Sequence, residues 1–340
     1  MWVWLTPERP AGHPALPEGT TRRELWVTGT RRMSTALMDR LLVYGTSALG
    51  TGSFFWMPAL AYLTYRRWHQ LSRLTRFIII AGLLSLFIVR KVHRPWVRRL
   101  FFWDAWLKYL SARVVFDDDP GNGGVHGVFP FALALPLFRG FVDVFGLLRP
   151  VAADAVFRVP FLGHLVSSTG GMPARWGEMI AALRGGDRIV VSPGGVAEMF
   201  HSEVVGEDFT GRPERLVMAR RTGLASMAMR TGAPIIPVYT FGAAQVFRLL
   251  PASWLTERLS RWARASLVLF AGRFGLPIPR APPLLFAVGR AIYPPAVADP
   301  PAAADVEGLH REVLAEFRHL YHRYKGVYDP RWRSRGLEIL

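Results

Sequence analysis

Residues 188–200 read RIVVSPGGVAEMF. Arg188–Ser192 is a short apolar, β-branched run closed by a turn signal, which is the pattern of a buried strand. Pro193-Gly194-Gly195 ends it. In an α/β sheet, a glycine turn at a strand's carboxyl end faces the crevice where ligands bind. Gly194 and Gly195 can turn backbone N–H groups toward an oxyanion or a phosphate. Glu198 can orient a histidine or hold a polar substrate. The plain alternative is a glycine turn followed by an exposed glutamate at a helix start.

Similar runs lie on either side. Arg113–Phe116, Pro234–Tyr239, Leu267–Ala271 and Leu284–Val288 read as further strands. Trp176–Leu183, Met218–Thr231 and Trp254–Arg264 have helical periodicity between them. Strands alternating with helices predict an α/β domain with a mixed, largely parallel sheet flanked by helices, over 100–340. A last helix places Val306, Leu309, Val313, Leu314, Phe317, Leu320, Tyr321 and Tyr324 on one stripe at 3.6 spacing. That stripe is read as core packing. The Pro/Ala stretch at 294–304 is read as a loop.

Two more segments carry chemistry. Gly123-Gly124-Val125-His126-Gly127 sets a histidine among glycines at the start of an apolar segment. An imidazole titrates near neutrality and suits general-base work, and the glycines admit a substrate closely. A structural loop histidine is the alternative. Arg220-Arg221-Thr222-Gly223 pairs two guanidinium groups that suit phosphates, unless they form a solvated charge pair. The sequence holds no HExxH, GxSxG, Walker loop or dinucleotide fingerprint, and no metal constellation is expected.

The chain has 340 residues, a net charge of +17, 51% hydrophobic and 20% charged residues. Its mean hydropathy is +0.19. Such hydrophobicity excludes intrinsic disorder over the whole chain. The absence of cysteine excludes a disulfide scaffold, a thiolate zinc site and a cysteine nucleophile. Basic and apolar together favour a membrane surface over nucleic acid, for which no recognition motif is present.

Residues 1–35 read as a polar disordered tail, with Met33 as an alternative start. No signal peptide is expected, because the first apolar run comes late and lacks a small-residue cleavage site. Residues 36–99 read as a membrane-anchoring hairpin with basic flanks. The stretch 41–65 is free of charge and long enough for a helix to cross the hydrocarbon. The run 77–89 is shorter, suiting a re-entrant element or a return arm. Nine Lys/Arg and no acid between Arg66 and Leu100 favour anionic headgroups and a cytoplasmic face.

Taken in order, SPGGVAEMF (192–200), Arg220–Gly223 and GAPIIPVYTFG (232–242) resemble blocks of the type-2 diacylglycerol/monoacylglycerol acyltransferase family, a branch of the lysophospholipid acyltransferase superfamily. AVFRVPFLGH (155–164) and Phe274–Arg290 resemble further blocks. The resemblance implies a membrane-bound enzyme with a lysophospholipid-acyltransferase-like domain. It would move a fatty acyl group from acyl-CoA, its co-substrate, to the hydroxyl of a neutral glycerolipid, diacylglycerol or monoacylglycerol, without a cofactor. His126 matches the shared histidine of the family's motif and is implied as general base. Glu198 matches the glutamate after the paired glycines and is implied to support His126 or place the acceptor. Gly127, Gly194, Gly195, Arg220 and Arg221 are implied substrate contacts. Val125 stands in place of a proline. Asp117–Gly124 occupies the place of the family's apolar lead-in, so Arg113–Phe116 is expected to serve as the strand before His126. Alternatives are a lysophospholipid or long-chain-alcohol (wax or phytyl ester) acyltransferase, and an inactive lipid-binding membrane protein.

Overall fold

The computed structural model describes residues 2–5, 35–50, 52–88, 91–100, 102–117, 148–192, 213–249 and 270–340. At its centre lies β7, Ile235–Phe241, with Ile235–Tyr239 buried in succession. It is the third strand of a seven-stranded mixed sheet ordered β2-β10-β7-β1-β5-β3-β4. Here β1 is Trp2–Leu5, β2 Arg113–Phe116, β3 Leu148–Ala152, β4 Met172–Pro173, β5 Arg188–Val191 and β10 Leu285–Val288. Among strands from Arg113 onward, β2–β10, β3–β5 and β3–β4 pair in parallel and β7–β10 antiparallel. β1 runs antiparallel between β5 and β7.

Alternation along the strands builds two cores, because successive side chains point to opposite faces. Ile189, Ile235, Tyr239, Phe241, Leu285 and Ala287 face one core. Three helices cover it: α7 (Trp176–Arg184), α8 (Gly223–Thr231) and α9 (Ala303–Tyr328). Val190, Ile236, Val238, Phe286 and Val288 face the other, covered by α1 (Leu37–Leu49) and α4 (Phe102–Tyr109).

α9 starts after Asp299-Pro300-Pro301 and stops before Asp329-Pro330, as proline neighbourhoods dictate. Its stripe is core, as read from the sequence: Val306, Leu309, Val313, Leu314, Phe317, Leu320 and Tyr321 are buried and Tyr324 packs against them. Phe241 stacks on Tyr321 and Tyr328 at 5.9 and 5.5 Å between ring centroids. Each fully buried side chain of this size contributes roughly 1.5–3 kcal/mol.

Several expectations change. Trp2–Leu5 does not belong to a disordered tail; it is a strand with partners on both sides. The charge-free stretch 41–65 is not one helix. α1 ends at Leu49, and α2 (Ser53–Arg66) starts a new one with Trp56 Nε1 donating to the Ala48 carbonyl at 2.9 Å. A Cβ at Gly52 would sit 2.2 Å from that carbonyl oxygen, so glycine permits the break. α3 (Arg73–Ile88) has 16 residues, about 24 Å at 1.5 Å each, short of the ~30 Å hydrocarbon. Among the described residues no helix is long and apolar enough to cross a membrane. α1 is also no external anchor. Its Val43 is 0% exposed within the second core, and Trp106 Nε1 of α4 donates to Thr46 Oγ1 at 2.9 Å. The packing thus joins 37–49 to the domain expected to begin at 100. The helix expected from Met218 begins at Gly223, because Met218 and Ala219 give their N–H groups to Leu340 instead. Trp254–Arg264 and residues 267–269 lie outside the described residues, and Phe270–Ala271 (β9) is the described end of that strand.

Candidate active site

His126, Gly127, Gly194, Gly195 and Glu198 lie outside the described residues. The strands that deliver them do not. β2 leads into the segment with His126 and β5 into the segment with Glu198. Phe116 stands opposite Val288, Val288 opposite Val238, and Val238 opposite Trp2. Val191 stands opposite Val3, and Val3 opposite Pro237. β2 and β5 run in opposite senses and stop at neighbouring levels of the sheet. Four ladders separate them, about 19 Å at 4.7–4.9 Å per strand. Both segments therefore depart from the same line across the sheet.

The exit of β2 is held tightly. Asp117 donates its N–H to the Val288 carbonyl at 2.8 Å, extending the β2–β10 ladder by one residue. Its carboxylate is only 7% exposed. His319 Nε2 lies 2.7 Å from Oδ2, and Arg323 Nε 2.7 Å from Oδ1 as an ion-pair contact out of line for a hydrogen bond. The Tyr324 phenol is pushed up to about 12, first by burial and then by its hydrogen bond to this carboxylate. All three partners come from α9. One turn earlier the same helix meets the exit of β10. Glu316, 8% exposed, accepts from the Arg290 N–H and faces its Nε, both at 3.3 Å, while Glu312 takes Arg290 Nη2 at 2.8 Å. A Cβ at Gly289 would lie 2.5 Å from Glu316 Oε1, so glycine makes room for the carboxylate.

Arg220 and Arg221 are exposed on the turn between β6 (Glu214–Leu216) and α8. The turn is fixed from behind. The C-terminal strand β11 (Leu337–Ile339) pairs in parallel with β6. The Leu340 carbonyl accepts from Met218 N at 2.9 Å and Ala219 N at 2.8 Å, and His310 of α9 meets the Ala219 carbonyl at 3.2 Å. α9 thus touches the arginine turn at His310 and the β2 exit at His319 and Arg323. The two contacts are about 14–20 Å apart along the helix at 1.5 Å per residue. Among the described residues no three His, Asp or Glu side chains gather to hold a metal ion.

Sequence reasoning missed Asp117, Glu316, His319 and Arg323. Glu312, Glu316, His319 and Arg323 fall at helical spacing beside the apolar stripe, so a charged row was legible. Which strand ends it meets was not.

The motif blocks now have places. AVFRVPFLGH lies on α5 (Asp154–Arg158) and α6 (Pro160–Ser168), and Phe274–Arg290 ends on β10 and its Arg290. The profile of the family described as "Diacylglycerol acyltransferase" matches residues 91–334. The chain is 24% identical to diacylglycerol O-acyltransferase 2A of Umbelopsis ramanniana, over 68% of this chain and 71% of that one. It is 26% identical to bovine (Bos taurus) 2-acylglycerol O-acyltransferase 1, over 68% and 75%. It is 26% identical to acyl-CoA wax alcohol acyltransferase 2 of Homo sapiens, over 54% and 55%. No solved structure matches. With its profile spanning both strand exits, the arginine turn and all of α9, the chain belongs to the diacylglycerol acyltransferase family and is an acyltransferase.

Proposed function

We propose that this protein moves a fatty acyl group from acyl-CoA to the hydroxyl of a neutral glycerolipid, diacylglycerol or monoacylglycerol, with His126 as general base. The observation that carries the reading is the family match over 91–334, which contains His126, Glu198, Arg220 and Arg221 together. The register of the sheet supports it. His126 lies nine positions after Asp117 and Glu198 six after Ser192, contour lengths of about 30 and 20 Å. Together they exceed the about 19 Å between the strand exits.

In this reading His126 takes the proton of the acceptor hydroxyl as its oxygen attacks the thioester carbonyl. Glu198 orients the imidazole and stabilises its charged form. Backbone N–H groups at Gly194 and Gly195 hold the tetrahedral oxyanion. When the carbon–sulfur bond breaks, the electron pair leaves with sulfur, and the proton on His126 passes to the CoA thiolate. Gly127 lets the acceptor approach, and Arg220 and Arg221 bind CoA phosphates.

Membrane attachment belongs to the same proposal. α2 and α3 expose Leu60, Tyr62, Leu74, Phe77, Ile78 and Leu83, all more than half exposed, beside the acid-free basic stretch from Arg66 to Leu100. An apolar patch rimmed by cations suits an anionic membrane face, with the active domain on the cytoplasmic side.

Membranes carrying wild type or His126→Ala test the chemistry. They are given labelled long-chain acyl-CoA with diacylglycerol, monoacylglycerol, lysophosphatidate or a long-chain alcohol, and products are separated by chromatography. A glycerolipid product that falls at least about 100-fold in His126→Ala is expected. Full activity in the variant removes His126 as the base. The human wax alcohol relative favours one second reading, with a long-chain alcohol as acceptor. A product from that acceptor alone selects it.

A further inference from the structure

Asp117 is the first residue of an acidic run, Asp117-Asp118-Asp119, that stands where an apolar strand leads into the histidine in the resembled family. Its carboxylate faces inward. His319, Arg323 and Tyr324, at helix positions i, i+4 and i+5, close around it, and its N–H completes a rung to Val288. The preceding turn of α9 repeats the device with opposite sign, as Glu316 and Glu312 take Arg290 at the end of β10. One helix edge therefore fixes the exits of two adjacent parallel strands.

Docking of α9 does not need these charges. Phe317, Leu320 and Tyr321 are fully buried against the sheet without them. A buried ion pair adds little net stability, because desolvation offsets attraction, and apolar replacement is often neutral or better. What such a pair does supply is a defined position. That matters at Asp117, because positions 121, 123 and 124 on the way to His126 are glycine. Glycine adds no side-chain restraint of its own, and Asp117 is the described residue nearest to His126 on that path.

We infer that Asp117, clamped by His319, Arg323 and Tyr324 of α9, is a positioning residue that sets where the His126 segment leaves the sheet and so aligns the base. The inference rests on the proposed role of His126. The clamp takes the part that a longer apolar strand plays in the resembled family.

The test compares wild type, Asp117→Asn, Arg323→Met, the double variant and His126→Ala in detergent-solubilised full-length protein. Asp117→Asn keeps the shape and removes the charge. Arg323 is 53% exposed, so Arg323→Met tests the same clamp where the first variant fails to fold. Both single variants are expected to lower kcat about 10–100-fold, since small displacements of a reacting group cost that much. KM for acyl-CoA should stay within about threefold. The double variant should be no worse than the worse single variant, the mark of one shared device. Hydrogen–deuterium exchange should quicken in peptides covering 118–130 and stay unchanged in β7 and β10. Wild-type kcat in folded Asp117→Asn or Arg323→Met overturns the inference, as does unchanged exchange in 118–130. If His126→Ala keeps full turnover, the base assignment fails separately. If wild type transfers no acyl group, the proposed function fails, and the exchange measurement alone decides the clamp.

Discussion

Gly170 sits at a φ of +82°, where a side chain is strained. A Cβ there would come within 2.3 Å of Arg98 Nη2. Arg98 is 5% exposed. It donates to the Thr169 carbonyl at 2.8 Å and the Leu148 carbonyl at 2.9 Å, closing the C-terminal end of α6 and tying it to the first residue of β3. Burial, and then Arg149, lower its pKa to about 10; burial, then Arg98 and Arg149, lower that of His93. Gly170→Ala should lower the unfolding free energy by about 2–4 kcal/mol, combining left-handed strain with displacement of a buried hydrogen-bonded group. Denaturant unfolding of the purified protein measures it; a loss below about 0.5 kcal/mol shows that Arg98 yields at no cost. None of this was legible in the sequence. Arg98 read as one of nine cations favouring headgroups, and nothing local to Gly170 said that a buried guanidinium lies against it.

At the scale of elements, legibility followed locality. β2, β5, β7 and β10 were readable because β-branched runs ended at turn signals, and α7 and α9 because their apolar residues recur at helical spacing. The start of α8 was misplaced because a distant partner, the Leu340 carbonyl, takes the N–H groups of Met218 and Ala219. That contact has a measurable consequence. A chain ending at Gly336 retains the α9 core but loses β11 and the support behind Arg220 and Arg221. It should fold, with KM for acyl-CoA raised about tenfold, as should Arg220→Ala/Arg221→Ala, since each lost charge-assisted hydrogen bond is worth about 1.5–3 kcal/mol. An unchanged KM in both removes the arginine turn from the CoA site. For the segments holding His126 and Glu198, the motifs were legible as types and order, and the register showed that their strands end at neighbouring levels. Asp117's partners stayed hidden because a sequence does not show which helix edge meets which strand end.

Across the whole molecule, the apolar residues divide between two cores and one exposed face. α1, most of which lies in the charge-free stretch read as part of the membrane hairpin, went to the second core. α2 and α3 kept their large side chains outside, with α3 resting on α6. Attachment through that face should survive salt, because apolar burial is not screened whereas contact through cations is. Wild type should stay with membranes in 1 M salt, and Ile78→Glu/Leu83→Glu should shift it substantially to the soluble fraction. Release of wild type by salt alone would assign the attachment to the basic stretch.

β1 carries a consequence for how the protein is made. Trp2–Leu5 are synthesised long before their partners, Ile189–Val191 and Ile235–Val238. The centre of the sheet therefore stays open while more than half the chain is synthesised. Until Ile235–Val238 emerge, the edge of β1 that β7 covers stays unpaired, an edge of the kind that invites aggregation. Such long-range pairing is slow to close. Anything that keeps Trp2–Leu5 from returning to the sheet would hold it apart at its middle.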